Sequence, residues 1–331
     1  MLSSSANLEG TKEINMGLTN FPNGVSSFGV PVVGSGGTLP FTSGTYFFVG
    51  SAHSGVDSPD YGTMTSPFAT IDYAIGKCTD SKGDVIVVLP GHTETVSAAA
   101  GIDVDVAGIT IVGVGNGTLM PTVTLGTDTD ADIDIDAANV TISGIKFTSA
   151  IDSLKVVLDV NYGNFTITDC IFDFASTYEC LNPINIATTK DDFKIIRCWF
   201  RQAADPGGTD AAAGTGVVYC VDSENILIKD CQFYGYWETA IVHNKTTACK
   251  NLVIDNCVVN LDGPSTAVPL ELVAGATGGI YNCCGYNTSS TDVSEAALFG
   301  AIGTFFWINN TELGNDSGGG GQNGVGGTAC S

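Results

Sequence analysis

In 331 residues the chain holds 35 acidic and 12 basic side chains, a net charge of −23, and its only arginines are Arg197 and Arg201. So few cations make a poor phosphate-binding surface and exclude nucleic acid as a partner, and no apolar run is long enough to span a bilayer, so no membrane partner is expected. The 42 glycines, 14% charged residues and abundant Val, Ile and Thr suit short strands joined by tight turns.

Met1–Glu9 has neither a basic start nor an apolar centre, so no secretory signal is expected. Residues 1–43 are polar, broken by Gly and Pro, and show no period. Phe21, Phe28, Val30, Val32 and Val33 make this segment too apolar for a plain linker, and it reads as an extended arm that anchors the chain to a partner. Gly44-Thr-Tyr-Phe-Phe-Val49 predicts a first strand. After a turn-rich loop to Thr65, Ser66-Pro67 offers a cap and a first-turn proline for a short amphipathic helix over Pro67–Gly76, with Phe68, Ile71, Ala74 and Ile75 at helical spacing. Such a helix would cover the open end of a solenoid. Gly83-Asp-Val-Ile-Val-Val-Leu-Pro-Gly91 reads as a buried strand between turn signals.

From there the chain repeats itself. Phe165-Thr-Ile-Thr-Asp-Cys-Ile-Phe172, Phe193-Lys-Ile-Ile-Arg-Cys-Trp-Phe200, Ile226-Leu-Ile-Lys-Asp-Cys-Gln-Phe233 and Leu252-Val-Ile-Asp-Asn-Cys-Val-Val259 are in register, with Gly279-Ile-Tyr-Asn-Cys283 a weaker copy. Val140-Thr-Ile-Ser-Gly-Ile-Lys-Phe147 and Ile109-Thr-Ile-Val-Gly-Val114 fit with the cysteine replaced. The anchors Ile111, Ile142, Ile167, Ile195, Ile228, Ile254 and Ile280 recur at intervals of 25 to 33 residues. A fixed motif with variable filler marks stacked coils. Within each segment the apolar alternation flips phase once, which requires a one-residue bend between two strands facing the same interior. The bend residues are Gly113, Gly144, Asp169, Arg197, Asp230, Asn256 and Asn282; all but Arg197 are types that tolerate a left-handed backbone. Strand, bend, strand, repeated, predicts an all-β parallel β-helix whose equivalent side chains stack about 4.7–4.9 Å apart. Cys170, Cys198, Cys231, Cys257 and Cys283 then form one ladder. Eleven cysteines without a CxxC pair or Cys/His metal spacing read as reduced, buried apolar residues, which places folding in a reducing cytoplasm. Coils end near Asn287. Ser294–Gly300 predicts a short helix, Thr304–Ile308 a last strand, and residues 311–331 a flexible Gly-rich tail. The body of the β-helix is thus expected over residues 44–310.

Asp128, Asp130, Asp132, Asp134 and Asp136 alternate, and period two puts all five carboxylates on one face of a strand. Hard oxygen ligands suit Ca²⁺, so these are the candidate metal ligands; the other reading is a solvated outer face that discourages edge pairing. Asp103 and Asp105 repeat the pattern on a smaller scale. Glu179, Asp191, Asp192, Asp205, Asp210, Glu238 and Asp262 fall between strands, where two of them could flank a groove as glycosidase carboxylates do. His53, His92 and His243 lie far apart, form no nucleophile–base set, and read as structural or surface residues. Tyr234, Tyr236 and Trp237 read as packing or interface aromatics, with stacking on sugar rings as the alternative. Asn139 and Asn164 read as turn residues.

Residues 44–100 resemble the opening of right-handed parallel β-helix proteins of the pectate-lyase-like superfamily. The likeness is carried by Thr45-Tyr-Phe-Phe-Val49, Ser66-Pro-Phe-Ala-Thr-Ile-Asp-Tyr-Ala-Ile75 and Gly83–Gly91, and the Asn/Asp-Cys-x-Phe segments extend it over residues 107–287. The resemblance implies a right-handed β-helix and leaves activity open, because this fold hosts many functions. Lyase relatives hold calcium with aspartates and use a basic residue as proton acceptor. No positions here match theirs, so no catalytic residue is assigned. Met16-Gly-Leu-Thr-Asn-Phe-Pro-Asn-Gly-Val-Ser-Ser-Phe-Gly-Val-Pro31, joined to that opening, is similar to β-helical proteins of tailed bacteriophages. That resemblance implies a homotrimer in a virion, made in the host cytoplasm, with the major capsid protein or other virion proteins as partners. The expected function is non-enzymatic and needs no cofactor: decoration of the capsid surface through the N-terminal arm. The alternative is a tailspike-like or tail-fibre-like receptor binder, or a lyase or glycoside hydrolase that depolymerises a host surface glycan.

Overall fold

The computed structural model describes residues 26–27, 30–31, 39–40, 42–174, 178–203, 216–237, 240–243, 247–261, 270–271, 275–287 and 304–314. The chain divides into two units, Met1–Leu39 and Pro40–Ser331. In the first, Ser26–Ser27 pairs antiparallel with Val30–Pro31; Phe21, Phe28, Val32 and Val33 lie outside the described residues. The expected helix at 294–300 and residues 315–331 of the expected tail lie outside them too; residues 311–314 of that tail are instead a strand, paired in parallel with Cys284–Asn287.

The second unit is a parallel β-helix. Among the described residues its strands form parallel sheets of ten, nine and seven members. The first sheet runs from Tyr46–Val49 to Thr304–Ile308, the second from Thr93–Val96 to Thr311–Gly314, and the third from Ile102–Asp103 to Leu270–Glu271. One coil visits each sheet once: Thr141–Ser143, Lys146–Ser149, Leu154–Val160, then Thr166–Thr168 one level on. The repeat anchors stack as aligned. Ile111 pairs with Ile142, Ile142 with Ile167, and so on through Ile195, Ile228 and Ile254 to Ile280.

Corners explain the phase flip. Gly144, Asp169, Arg197, Asp230, Asn256 and Asn282 all have φ between 51° and 68°. In this region most side chains are strained, and Asn, Asp and Gly least so. Arg197 is held there by its ion pair: its guanidinium donates to both oxygens of Asp169, one coil away, at 2.7 and 2.8 Å. Gly113 departs from the expected pattern. It ends the strand Thr110–Gly113 without a left-handed φ, and the chain turns later, through a 3-10 turn at Gly117–Leu119. Gly113 is glycine for another reason: a Cβ there would meet the Gly144 carbonyl oxygen at 2.1 Å. A second left-handed row, Asn139, Asn164, Asp192, Asn225 and Asn251, returns the chain from the third sheet to the first. Its side chains bond upward, Asn225 to Asp192 at 3.1 Å and Asn251 to Asn225 at 2.8 Å. Asn139 and Asn164 are turn residues of this row.

Inside, equivalent residues form columns. Phe147, Phe172, Phe200 and Phe233 stack with centroids 4.9, 4.6 and 5.1 Å apart. Stacking adds about 0.5–1.5 kcal/mol per pair beyond burial. Beside them Cys170, Cys198, Cys231, Cys257 and Cys283 are buried as thiols. Each donates to the carbonyl two residues back across the corner, at 3.2 to 3.4 Å. Burial pushes the Cys180 and Cys198 thiols far up, so they stay protonated.

The end of the stack is covered by a helix shorter than expected, Ile71–Ile75. Phe68 is not helical because it bridges in parallel to Val49, its N donating to Phe48 O at 2.8 Å and its O accepting from Gly50 N at 2.9 Å. Asp57 then holds the amides of Ala69 and Thr70, and Thr70 caps the helix by accepting from Tyr73 N at 3.3 Å. Ile71, Ala74 and Ile75 close the core.

Candidate functional site

Two outer surfaces concentrate chemistry, one on the third sheet and one on the second. The aspartate run does not form one five-residue strand face. Only Ile133–Ile135 is strand; Asp128 and Asp130 lie in a turn, with Asp130 paired to Lys155. Asp132 accepts from Ala100 N at 2.6 Å, and Asp136 from Asn161 Nδ2 at 3.0 Å. Asp134 has Asp132 and Asp136 of its own run beside it, and stacked coils add Asp103 on one side and Asp159 on the other. Asn185 follows and donates to Asp159 at 2.6 Å. Asp132, Asp134 and Asp159 each place a carboxylate oxygen within 4.8 Å of the others. Two unit charges at that spacing repel by about 3 kcal/mol at an effective dielectric of about 20. Burial, then Asp132, Asp159, Asp136 and Asp103, pushes the Asp134 carboxyl up to about 6. Burial raises Asp132 and Asp103 as well. Oδ1 of Asp103 and of Asp134 is buried and accepts no hydrogen bond from the described residues. Such a stack takes up a proton readily and offers hard oxygens to a cation. Asp159 was missed from sequence, although the signal was present: Ile102-Asp-Val104, Ile133-Asp-Ile135 and Leu158-Asp-Val160 are one motif in successive coils.

On the second sheet, Ile171, Trp199 and Gln232 point outward in one register row, and Asp173, Arg201 and Tyr234 in the next. Trp199 is 37% exposed. The Arg201 guanidinium lies 5.9 Å over its ring, and Tyr234 meets it edge-on at 6.2 Å. An open groove of about 500 Å³ runs between this row and the corner row Asp169, Arg197 and Asp230, with Cys170 and Cys198 in its lining. Both arginines of the chain are therefore here. The Arg197 hydrogen bonds hold the Asp169 carboxyl below its ordinary range. Burial would raise Asp173, but Lys146 at 2.6 Å and Arg201 Nε at 2.6 Å hold it low. Trp199 was overlooked in the Cys-x-Phe motif, where the middle position is the outward one.

The remaining sequence candidates serve the frame. Trp237 is fully buried, its Nε1 donating to Tyr234 O at 3.2 Å, so the expected aromatic cluster splits between core and surface. Asp191 accepts from Glu224 N at 2.8 Å and Asp192 from Asn225, both at corners. Glu179 is buried. His92 is buried; its Nδ1 accepts from Ser51 N at 3.1 Å and its Nε2 lies 3.2 Å from Glu94. His53 is exposed on a 3-10 turn, and His243 ends the strand Ala240–His243. Asp205, Asp210, Glu238 and Asp262 lie outside the described residues.

Strand register and corner geometry thus define the class: a parallel β-helix with an acidic third sheet and an aromatic, arginine-bearing second sheet. No protein-family model matches the chain, and no curated protein does. Among solved structures, ORF18 of Geobacillus virus E2 aligns at a TM-score of 0.35 and 13% identity, over 74% of this chain and 57% of its own length. The fold assignment rests on the register rather than on that likeness.

Proposed function

We propose that the chain is a structural, non-enzymatic protein of a tailed-bacteriophage virion, a decoration protein on the head surface. Its N-terminal arm binds the major capsid protein or another virion protein, and three copies pack through their coil faces. It folds in the host cytoplasm and leaves with the particle. The virion reading draws on the resemblance of residues 16–31 and 44–100 to phage β-helical proteins. The observation that best supports a binding rather than a catalytic role is how the groove carboxylates are used. Asp169 is held ionised by Arg197, and Asp230 accepts from Asn256 at 2.6 Å. A glycosidase acid needs the opposite, a carboxyl that holds its proton near neutral pH. Among the described residues the carboxyls pushed upward, Asp103, Asp132 and Asp134, belong to the third-sheet stack. Intact particles, purified and analysed by quantitative mass spectrometry, should contain the chain at capsid-scale copy number. Its absence from particles, or cleavage of surface polysaccharide by the purified chain, would refute the proposal.

A second reading, a receptor binder for host surface glycan, is favoured by the exposed Trp199 beside Arg201, Tyr234 and the groove. Stacking on an aromatic platform suits sugar rings. Under this reading Trp199→Ala abolishes adsorption to isolated host polysaccharide and leaves incorporation into particles unchanged. Equal adsorption by both proteins removes this reading.

A further inference from the structure

A second set of buried cysteines lies away from the ladder. Cys220 ends the third-sheet strand Gly216–Cys220, and Cys249 lies one coil on, two residues before the corner residue Asn251. Both are fully buried, and their Sγ atoms are 3.0 Å apart. The ladder thiols are directed at corner carbonyls as well as at one another; the Cys220–Cys249 pair stands apart by the 3.0 Å approach of its two sulfurs. The backbone around the pair is tied on both sides. Asp222 N donates to Thr247 O at 3.2 Å, Lys250 N to Ser223 O at 3.0 Å, and Thr277 N to Cys249 O at 3.2 Å. A disulfide bond is about 2.05 Å long, so closure needs a movement of about 1 Å within a frame that already holds the two residues opposed.

We propose that Cys220 and Cys249 are a dithiol that closes to an inter-coil disulfide on meeting a disulfide oxidant such as oxidised glutathione. One cysteine, as thiolate, attacks the oxidant and releases a first reduced glutathione. The other then attacks the mixed disulfide and releases the second. Two protein S–H bonds and the oxidant's S–S bond are lost; one protein S–S bond and two glutathione S–H bonds form. The protein sulfurs lose two electrons and the oxidant gains them. Because both thiols are buried, the first attack waits on local opening of the coil, so the reaction is slow and accelerates on warming. The product bridges a sequence separation of 29 residues. That span holds the strands Ile226–Lys229, Gln232–Gly235 and Ala240–His243, a full turn of the solenoid. The bond therefore locks one coil to the next once a reducing environment is left. The inference is independent of the virion reading.

To test it, the full chain is purified in reductant and moved into a glutathione redox buffer a few degrees below melting. It is then alkylated under denaturing conditions and mapped by mass spectrometry. The expected result is an intact mass lower by about 2 Da, a Cys220 peptide linked to a Cys249 peptide, and a melting temperature raised by about 5 °C, all reversed by dithiol reductant. Cys249→Ala removes the link and the rise in melting temperature. Full alkylation of both cysteines, a persistent glutathione adduct on either, or linkage of either to another cysteine overturns the proposal. The mapping uses the unsubstituted chain, so it stands whether or not the variant folds.

Discussion

Asp134→Asn removes the central charge of the third-sheet stack at nearly constant volume. In the folded chain this carboxyl titrates at about 6 against an ordinary 3.8, a difference equivalent to about 3 kcal/mol. A raised folded value means that the folded state binds the proton more tightly than the unfolded one. The ionised carboxylate therefore lowers stability above pH 6, and the deficit shrinks as the pH falls from 6 towards 3.8. Asp134 is only partly buried, and water screens part of the repulsion, so about 1–2 kcal/mol of the effect survives. Asp132 and Asp103 act in the same direction. The unsubstituted chain should thus melt about 2–4 °C higher at pH 5 than at pH 7.5. The Asp134→Asn variant should melt higher than the parent at pH 7.5 by a similar amount and lose about half of that gain at pH 5. Differential scanning calorimetry at the two pH values measures both. If the variant melts at or below the parent at pH 7.5, or if both proteins show the same pH slope, the repulsive stack is not the cause.

Below pH 4 the sign reverses. Asp169, Asp173 and Asp255 are held low, chiefly by hydrogen bonds from Arg197, from Lys146 and Arg201, and from Lys229. Their contribution is complete above the ordinary carboxylate range and is lost as the pH falls through their folded values; Arg201→Met should move the acid-unfolding midpoint upward, as followed by circular dichroism. Phe200→Ala removes the middle of the phenylalanine column, between neighbours at 4.6 and 5.1 Å, and should cost about 3–5 kcal/mol in a denaturant titration. Gly144→Ala meets both a left-handed φ of 68° and a carbonyl oxygen 2.5 Å from the new Cβ, and should destabilise by more than about 2 kcal/mol. Asn256→Gly, at an equivalent corner with φ 53°, should change stability by less than about 1 kcal/mol, since glycine relieves the backbone and only the exposed bond to Asp230 is lost.

Much of the fold was legible because a solenoid writes its contacts into local sequence. Each coil makes the same bend at the same offset, so Asp169, Asp230, Asn256 and Asn282 could be aligned without knowing what they touch. Arg197 looked like an exception because its tolerance of the left-handed corner comes from Asp169, 28 residues away. Gly113 looked like a corner because its need for glycine, the Gly144 carbonyl, lies one coil on. The aspartate run was misjudged for the same reason. Alternation along the chain suggests five carboxylates on one strand face; Asp132 and Asp134 do meet there, Asp128 and Asp130 lie in a turn, and the remaining partners, Asp103 and Asp159, come from neighbouring coils.

The period of the coils, the inward columns of Phe and Cys, and the corner positions all follow from residue types that recur in register. The surface chemistry emerges only when the coils are stacked. Outward residue types differ from coil to coil, so Trp199 beside Tyr234 and Asp173 between two cations form no repeating pattern along the chain; the buried Cys220 and Cys249 likewise meet outside the aligned repeat. Inward positions face the same environment in every coil and leave a repeating signal, whereas outward and loop positions acquire their neighbours only when the coils stack.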